Sequence, residues 1–352
     1  MGNVIVLTGG GTAGHVTPNL AIISDLTEKG FEPHYIGTLN GIEHGLAKDM
    51  PYHVIDAGKL RRYASMANIR DFFRIFKGYR QSKKILRQLS PELVFAKGGF
   101  VSVPVAYAAA KLGIPVVLHE SDYSPGLANR LCVKKAKKIC LSFDIPQERT
   151  DKCVFTGSPV RAALLNGSRE SGLEFLGFNG GKPVLLITGG SQGSKAINSL
   201  ADSNIDALLK EFHIVHLRGR GNLKPDLDGI DGYRQFEYLD EQLPDVYADV
   251  DMALSRAGAN TIFEFAALGI PSLLIPLPLS ASRGDQLENA KYFQERGYSL
   301  VLFQEDMTAE TLKTALGELR DKKDLMRNNI KIGNETNGTQ NILNVIYECM
   351  QK

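Results

Sequence analysis

The sequence lacks the features that would tie it to a membrane span, an oxidising compartment or a polyanion. No uninterrupted apolar run in its 352 residues approaches the ~18 that a spanning helix needs. No basic segment followed by an apolar one precedes the first short apolar stretch, so no secretory signal is expected. Four cysteines (132, 140, 153 and 349) show neither C-x-x-C nor a metal-ligand spacing, which reads as reduced thiols of a cytosolic chain. Net charge is only +2, so the global balance points to no particular partner. No G-x-x-x-x-G-K-[ST] is present, which excludes a P-loop.

What is present is an ordinary globular balance, 43% hydrophobic and 23% charged, with enough length for two domains that each bury a core. Short apolar runs alternate with helical patterns, the signature of parallel α/β layers. Expected strands include Val4–Thr8, Phe31–Ile36, Leu93–Ala96, Pro115–Leu118, Val184–Ile187, His213–Leu217, Met252–Leu254 and Ser272–Ile275. Thr17 reads as a helix N-cap followed by Pro18.

Two glycine-rich loops stand out. Gly9-Gly10-Gly11-Thr12-Ala13-Gly14-His15 follows the first strand and matches G-x-G-x-x-G. Gly189-Gly190-Ser191-Gln192-Gly193 follows Val184–Ile187, and both strands end in Thr-Gly-Gly. The pair suggests two similar Rossmann-like halves. Such loops bring backbone amides and a helix N-terminus close to an anion, although either could be a tight turn alone.

Neither loop fits its commonest relative. A dinucleotide site wants an acid at the end of the second strand, where this chain has His34-Tyr35-Ile36-Gly37-Thr38. Glu43 lies beyond, on the expected next helix. The second loop fits G-x-S-x-G, but a hydrolase needs a later histidine, and none follows His213 and His216. Those two lie three apart on a strand, so they face opposite sides and make poor co-ligands. Asp249-Val250-Asp251 resembles a metal-binding D-x-D but falls at a helix-to-strand junction, and no metal site is expected.

Six stretches in order closely resemble the MurG family of UDP-N-acetylglucosamine transferases, which convert lipid I to lipid II in peptidoglycan synthesis. They are Gly9–His15, Lys97-Gly98-Gly99-Phe100-Val101-Ser102, His119-Glu120-Ser121-Asp122, Gly189–Gly193, Ser255-Arg256-Ala257-Gly258-Ala259-Asn260-Thr261 and Gly284-Asp285-Gln286. Ala13 stands where many relatives have glycine, and Asp122 where many have asparagine.

The resemblance implies a GT-B glycosyltransferase: α/β, with two Rossmann-like domains whose parallel sheets face a cleft. It implies inverting transfer with no cofactor, UDP-N-acetylglucosamine being a co-substrate. The expected acceptor- and membrane-facing domain covers 1–161, and the UDP-sugar domain 162–337. A final helix, about 338–352, packs back on the first domain. By motif, donor contacts fall to Arg161, Ser191, Leu239, Arg256, Ala259, Asn260, Thr261, Glu264 (ribose) and Gln286 (sugar). The acceptor, undecaprenyl-pyrophosphoryl-MurNAc-pentapeptide, meets Thr12, Ala13, Gly14 and Asp122. Helix N-termini at 193 and 259 would stabilise the departing diphosphate.

The attacking hydroxyl must lose a proton, and His15 and Asp122 are the candidate bases. An imidazole titrates in the useful range, with a loop-shaping role as the alternative for His15. The resemblance leaves room for another UDP-sugar glycolipid transferase, a UDP-N-acetylglucosamine 2-epimerase or a non-catalytic UDP-sugar-binding module.

The stretch 59–89 carries ten basic residues: Lys59, Arg61, Arg62, Arg70, Arg74, Lys77, Arg80, Lys83, Lys84 and Arg87. Only Asp71 opposes them. Phe72, Phe73 and Phe76 lie among these charges at roughly helical spacing. A solvated amphipathic helix is one reading. The favoured one is an anionic membrane surface met by Arg70, Phe72, Phe73, Arg74, Phe76, Lys77 and Arg80. No nucleic-acid motif accompanies the charge. The expected location is therefore peripheral, on the cytoplasmic face of the bacterial membrane.

Overall fold

A computed structural model describes residues 3–58, 66–148, 150–190, 192–333 and 338–351; for 66–70, 72 and 148 only the backbone is described. Contacts divide the chain into two units, Met1–Arg161 with Asn337–Lys352, and Ala162–Thr336.

The first unit is built on a parallel seven-stranded sheet in the order β3-β2-β1-β4-β5-β6-β7. Its strands are β1 Val4–Thr8, β2 Glu32–Gly37, β3 Tyr52–Val54, β4 Leu93–Ala96, β5 Val116–Glu120, β6 Lys138–Leu141 and β7 Cys153–Phe155. The second unit has six parallel strands in the order β10-β9-β8-β11-β12-β13. They are β8 Val184–Thr188, β9 His213–Leu217, β10 Tyr233–Phe236, β11 Val250–Ser255, β12 Ser272–Leu274 and β13 Ser299–Val301.

Continuous apolar strands form here because helices cover both sheet faces. In β1 the pleat sends Val4 and Val6 into one core and Ile5 and Leu7 into the other. Ile342, Leu343, Val345, Ile346 and Cys349 of the helix Gly338–Met350 complete that second core. In each sheet the strand order reverses beside β1 or β8, with β1 lying between β2 and β4 and β8 between β9 and β11. These reversals are the points where open α/β sheets receive ligands, and both glycine loops leave from them.

Some local expectations are corrected. β5 runs to Glu120, two residues beyond the expected end, because His119 and Glu120 pair with Cys140 and Leu141 of β6. Thr17 is not a cap. It is the first residue of the helix Thr17–Leu20, and its hydroxyl donates back to the Ala13 carbonyl at 2.8 Å. The helix after the second glycine loop starts at Lys195, capped by the Ser194 hydroxyl, rather than at 193. The edge strands β10 and β13 escape a pattern reading because one is mixed in polarity (YRQF) and the other has three residues.

Candidate active site

In the first unit the glycine loop is held from three sides. The Tyr35 hydroxyl donates to the Gly9 carbonyl at 2.9 Å and receives the Asn19 amide at 3.2 Å. A Cβ at Gly9 would lie 2.2 Å from the His15 carbonyl, so only glycine lets the loop close on itself. Residues Ala13–His15 form a single 3-10 turn, with the His15 amide donating to the Thr12 carbonyl at 3.1 Å. Thr12 is exposed, and Ala13, Gly14 and His15 are half-buried.

The third support is a residue to which the sequence reading gave no role. Glu43, fully buried, accepts the Gly11 amide at 3.2 Å and both the amide (3.2 Å) and hydroxyl (2.6 Å) of Thr38. The chain's own carboxylate thus occupies a loop amide that a dinucleotide pyrophosphate would need, which reinforces the exclusion drawn from β2. The available signal was an acid at the start of the helix Ile42–Leu46.

The neighbouring strands β4 and β5 bring further groups to the same sheet edge. After β4, Gly98 (φ 97°) and Gly99 (φ 74°) adopt the left-handed conformation. A Cβ at Gly99 would lie 2.1 Å from the Gly10 carbonyl and 3.0 Å from the His15 ring, so this pair lets the two loops touch. His119 is buried against the Ser142 hydroxyl at 3.1 Å. Burial, aided by the charge of Lys97, holds its imidazole well below the usual histidine range, so it stays neutral. Glu120 accepts the amides of Asp122 (3.3 Å) and Gly126 (2.8 Å) and the Asn129 side chain (2.8 Å). Asp122 is half-buried on the loop that Glu120 organises.

In the second unit the expected donor residues also gather at the C-terminal sheet edge. Ser191 itself lies outside the described residues. Around it, Gly190 (φ 84°) and Gly193 (φ 73°) are left-handed, and a Cβ at Gly193 would lie 2.0 Å from the Arg218 carbonyl. Asn198, on the helix Lys195–Ser203, donates to that carbonyl at 3.0 Å and meets His216 at 3.0 Å. Arg218 pairs with Asp202 at 2.8 Å, which braces β9 against the loop's helix. His216 serves this network, pushed down to about 3 chiefly by burial and then by Arg218.

Arg256 follows β11 and is buried, donating to the carbonyls of Ile275 (3.0 Å) and Pro276 (3.3 Å) and to Gln304 (2.6 Å). Its guanidinium therefore shapes the loop after β12. Gln286 acts on the same loop by accepting the Leu277 amide at 3.1 Å. The helix Ala259–Leu268 starts from Gly258, with Ala259 buried and Asn260, Thr261 and Glu264 half-buried. Asn260 and Glu264, four apart, share one helix face. Leu239, half-buried, follows β10, and Arg161, also half-buried, ends the first unit.

Asp249 and Asp251 have structural partners. Asp251 accepts the Val184 amide at 2.9 Å and meets Arg327 at 3.4 Å. Asp249 is buried at the end of the helix Leu243–Asp249, 3.5 Å from Arg169. Burial pushes its carboxyl up from 3.8 to about 6. Between these two values the folded chain keeps a proton that the unfolded chain has released. The group's contribution therefore falls as pH rises through that window, and the penalty persists above it. Asp249→Asn is expected to stabilise the chain by about 1–3 kcal/mol at pH 7.5 and by little at pH 4. Denaturation curves at the two pH values check this, and a loss at both would refute it.

The helix Met66–Leu89 turns Leu86 into the core and leaves Phe73 66% and Phe76 50% exposed, with Arg74, Lys77 and Arg80 also at the surface. Arg80 stacks over the Phe76 ring at 4.7 Å. Lys77 pairs with Asp56 at 2.8 Å and holds that carboxyl below the usual range. Lys59, Arg61 and Arg62, and the side chains of Arg70 and Phe72, lie outside the description. No helix of the described residues is long and apolar enough to cross a membrane.

Two parallel-sheet α/β units, each with a glycine loop at its strand-order reversal, together with matches to both domains of a glycosyltransferase family, make this a GT-B glycosyltransferase. Residues 5–141 match the glycosyltransferase family 28 N-terminal domain and residues 184–344 its C-terminal domain. A protein of Clostridium botulinum (strain Alaska E43 / Type E3) is 49% identical, the match covering 99% of this chain and 97% of the relative. A second, of Lachnoclostridium phytofermentans, is 46% identical with 99% of each covered. Both are named UDP-N-acetylglucosamine–N-acetylmuramyl-(pentapeptide) pyrophosphoryl-undecaprenol N-acetylglucosamine transferase. The crystal structure of Acinetobacter baumannii MurG superposes with TM-score 0.76 at 27% identity, covering 99% of this chain and 100% of that one. The calicheamicin glycosyltransferase CalG4, at 15% identity and TM-score 0.72, shares the fold, with 100% of this chain and 99% of that one covered. The chain belongs to the MurG family.

Proposed function

We propose that this chain transfers N-acetylglucosamine from UDP-N-acetylglucosamine to the N-acetylmuramyl 4-hydroxyl of a pyrophosphoryl-undecaprenol pentapeptide acceptor, inverting the anomeric centre. The observation that carries this reading is 49% identity along nearly the whole length to a relative of that name. The second unit is read as the donor half. The loop around Ser191 and the start of the helix at Ala259 offer amides to the diphosphate as it gains charge. Asn260, Thr261 and Glu264 take the nucleoside, Leu239 lines the uracil, and Gln286 takes the sugar. Arg161 assists, while Arg256 acts by holding the loop at 275–276. The first unit is read as the acceptor half, with Thr12, Ala13 and Gly14 at the acceptor diphosphate and His15 or Asp122 taking the proton.

The test incubates the chain with labelled UDP-N-acetylglucosamine and an N-acetylmuramyl-pentapeptide pyrophosphoryl lipid analogue. A disaccharide lipid is expected. Release of free N-acetylmannosamine would mean an epimerase, and donor binding without turnover a sugar-nucleotide-binding module.

We also propose that the exposed face of the helix Met66–Leu89 meets an anionic membrane surface from the cytoplasmic side. Phe73 and Phe76 supply apolar area, and Arg74 and Arg80 contribute on the order of 1 kcal/mol each. Binding to anionic vesicles is expected to exceed binding to neutral ones and to weaken about tenfold or more in Arg74→Glu/Arg80→Glu. Equal binding to both vesicle types would refute this.

A further inference from the structure

We propose that Glu43 is a positioning residue for the acceptor: its two carboxylate oxygens tie the glycine loop to the end of β2 and so fix the turn that presents residues 12–15. The inference rests on reading the first unit as the acceptor half.

The two oxygens serve different segments. Oε2 accepts the Gly11 amide at 3.2 Å, while Oε1 accepts the amide (3.2 Å) and the hydroxyl (2.6 Å) of Thr38. Thr38 directly follows β2 and is fixed from its other side as well, where the Tyr52 hydroxyl of β3 donates to its carbonyl at 2.8 Å. Gly11 precedes Thr12 and holds φ 92°, so its orientation sets how the chain enters the 3-10 turn Ala13–His15. The seat is shaped around the carboxyl group. A Cβ at Gly10 would lie 2.6 Å from the carboxyl carbon, and one at Gly41 would meet Oε1. Glu43 is fully buried, and a carboxylate so placed is strongly disfavoured unless its oxygens are satisfied, as these three donors do.

The tie needs a carboxylate. Glutamine has one acceptor oxygen, and in either orientation its NH2 group faces the Gly11 amide or the Thr38 amide. One of the two backbone amides then loses its acceptor, and the loop populates conformations in which that amide finds water. The apparent affinity for the acceptor falls with the fraction of chains whose loop stays in place. Charge acts in the opposite sense, because removing a carboxylate favours a diphosphate brought nearby. The sign of the change therefore separates positioning from electrostatics.

Glu43→Gln keeps the shape of the side chain and removes one acceptor. Binding of the N-acetylmuramyl-pentapeptide pyrophosphoryl lipid analogue, measured directly per folded chain, is expected to weaken about tenfold or more, as when the competent loop falls to about a tenth of the population. Binding of UDP-N-acetylglucosamine should move less than about twofold. Amide hydrogen exchange at Gly11 or at Thr38 should quicken about tenfold or more, with exchange at Val6 of β1 unchanged. A role in stability alone would lower the melting transition of the first unit and leave both affinities per folded chain as they were. Acceptor binding that is unchanged or tighter, a parallel loss of donor binding, or unchanged exchange at both amides would each overturn the inference. Should Glu43→Gln fail to fold, Gly10→Ala decides, because its methyl displaces the carboxyl group. Acceptor binding should again fall with donor binding held, and unchanged acceptor binding overturns the inference. Wild-type chain that binds the analogue without turnover would count against the catalytic reading and leave this test standing. Wild-type chain that does not bind it would overturn both the acceptor-half reading and the inference.

Discussion

His15→Ala is expected to lower turnover by about 10²–10⁴-fold while UDP-N-acetylglucosamine binding changes less than about twofold. The expectation follows from where the residue sits. His15 closes the 3-10 turn Ala13–His15 at the C-terminal end of β1. Its ring lies against the Gly99 position, where an added Cβ would approach to 3.0 Å. Backbone hydrogen bonds from the His15 amide to the Thr12 carbonyl (3.1 Å) and from the Val16 amide to the Ala13 carbonyl (2.9 Å) hold the turn. Removing the ring keeps these backbone bonds and takes away the proposed proton acceptor. The proposed donor residues other than Arg161 belong to the other unit, so donor binding serves as the internal control. A fall in turnover of less than about tenfold would leave His15 a loop residue and move the base assignment to Asp122. A parallel loss of donor binding would point to disruption of the fold.

Ending the chain before Gly338 is expected to abolish the cooperative unfolding transition of the first unit and leave that of the second. The helix Gly338–Met350 buries Ile342, Leu343, Val345 and Ile346 at 0–6% exposure in the core shared with Ile5, Leu7, Phe95 and Val117. At roughly 1.5–3 kcal/mol per buried aliphatic side chain, the loss is about 6–12 kcal/mol. That is comparable to the whole stability of a typical domain, about 5–15 kcal/mol. Polar ties fix the register. Thr339 bonds the backbone of Val160 at 3.2 Å in both directions, Asn341 donates to the Thr156 carbonyl at 3.0 Å, and Lys137 reaches the Cys349 carbonyl at 2.9 Å. Gly338 packs so close to Ser158 that a Cβ would lie 2.1 Å from its carbonyl. Calorimetry of the truncated chain decides the matter, since two intact transitions would refute it. Ile346→Ala is the milder check, with a loss of about 2–5 kcal/mol confined to the first transition.

The sequence by itself determined the α/β class, the two glycine loops and the family. Each rests on local chemistry: continuous apolar runs that need cover on both faces, glycines where the backbone must turn left-handed, and motifs that keep their order along the chain. It also carried the exclusion of a dinucleotide site, because the missing acid on β2 is a local fact.

What it could not assign was the company each side chain keeps. Glu43 and Gly11 are 32 residues apart and meet at one amide. Arg256 carries a motif position suited to a diphosphate, and its Nη1 also donates to the backbone carbonyls of Ile275 and Pro276. Lys97 reads as one more basic residue until β4 is set between β1 and β5 and its side chain is buried. Such pairings depend on strand order and burial. Both arise only when distant segments pack and water is excluded, which is why the tertiary structure alone decided which charges became partners.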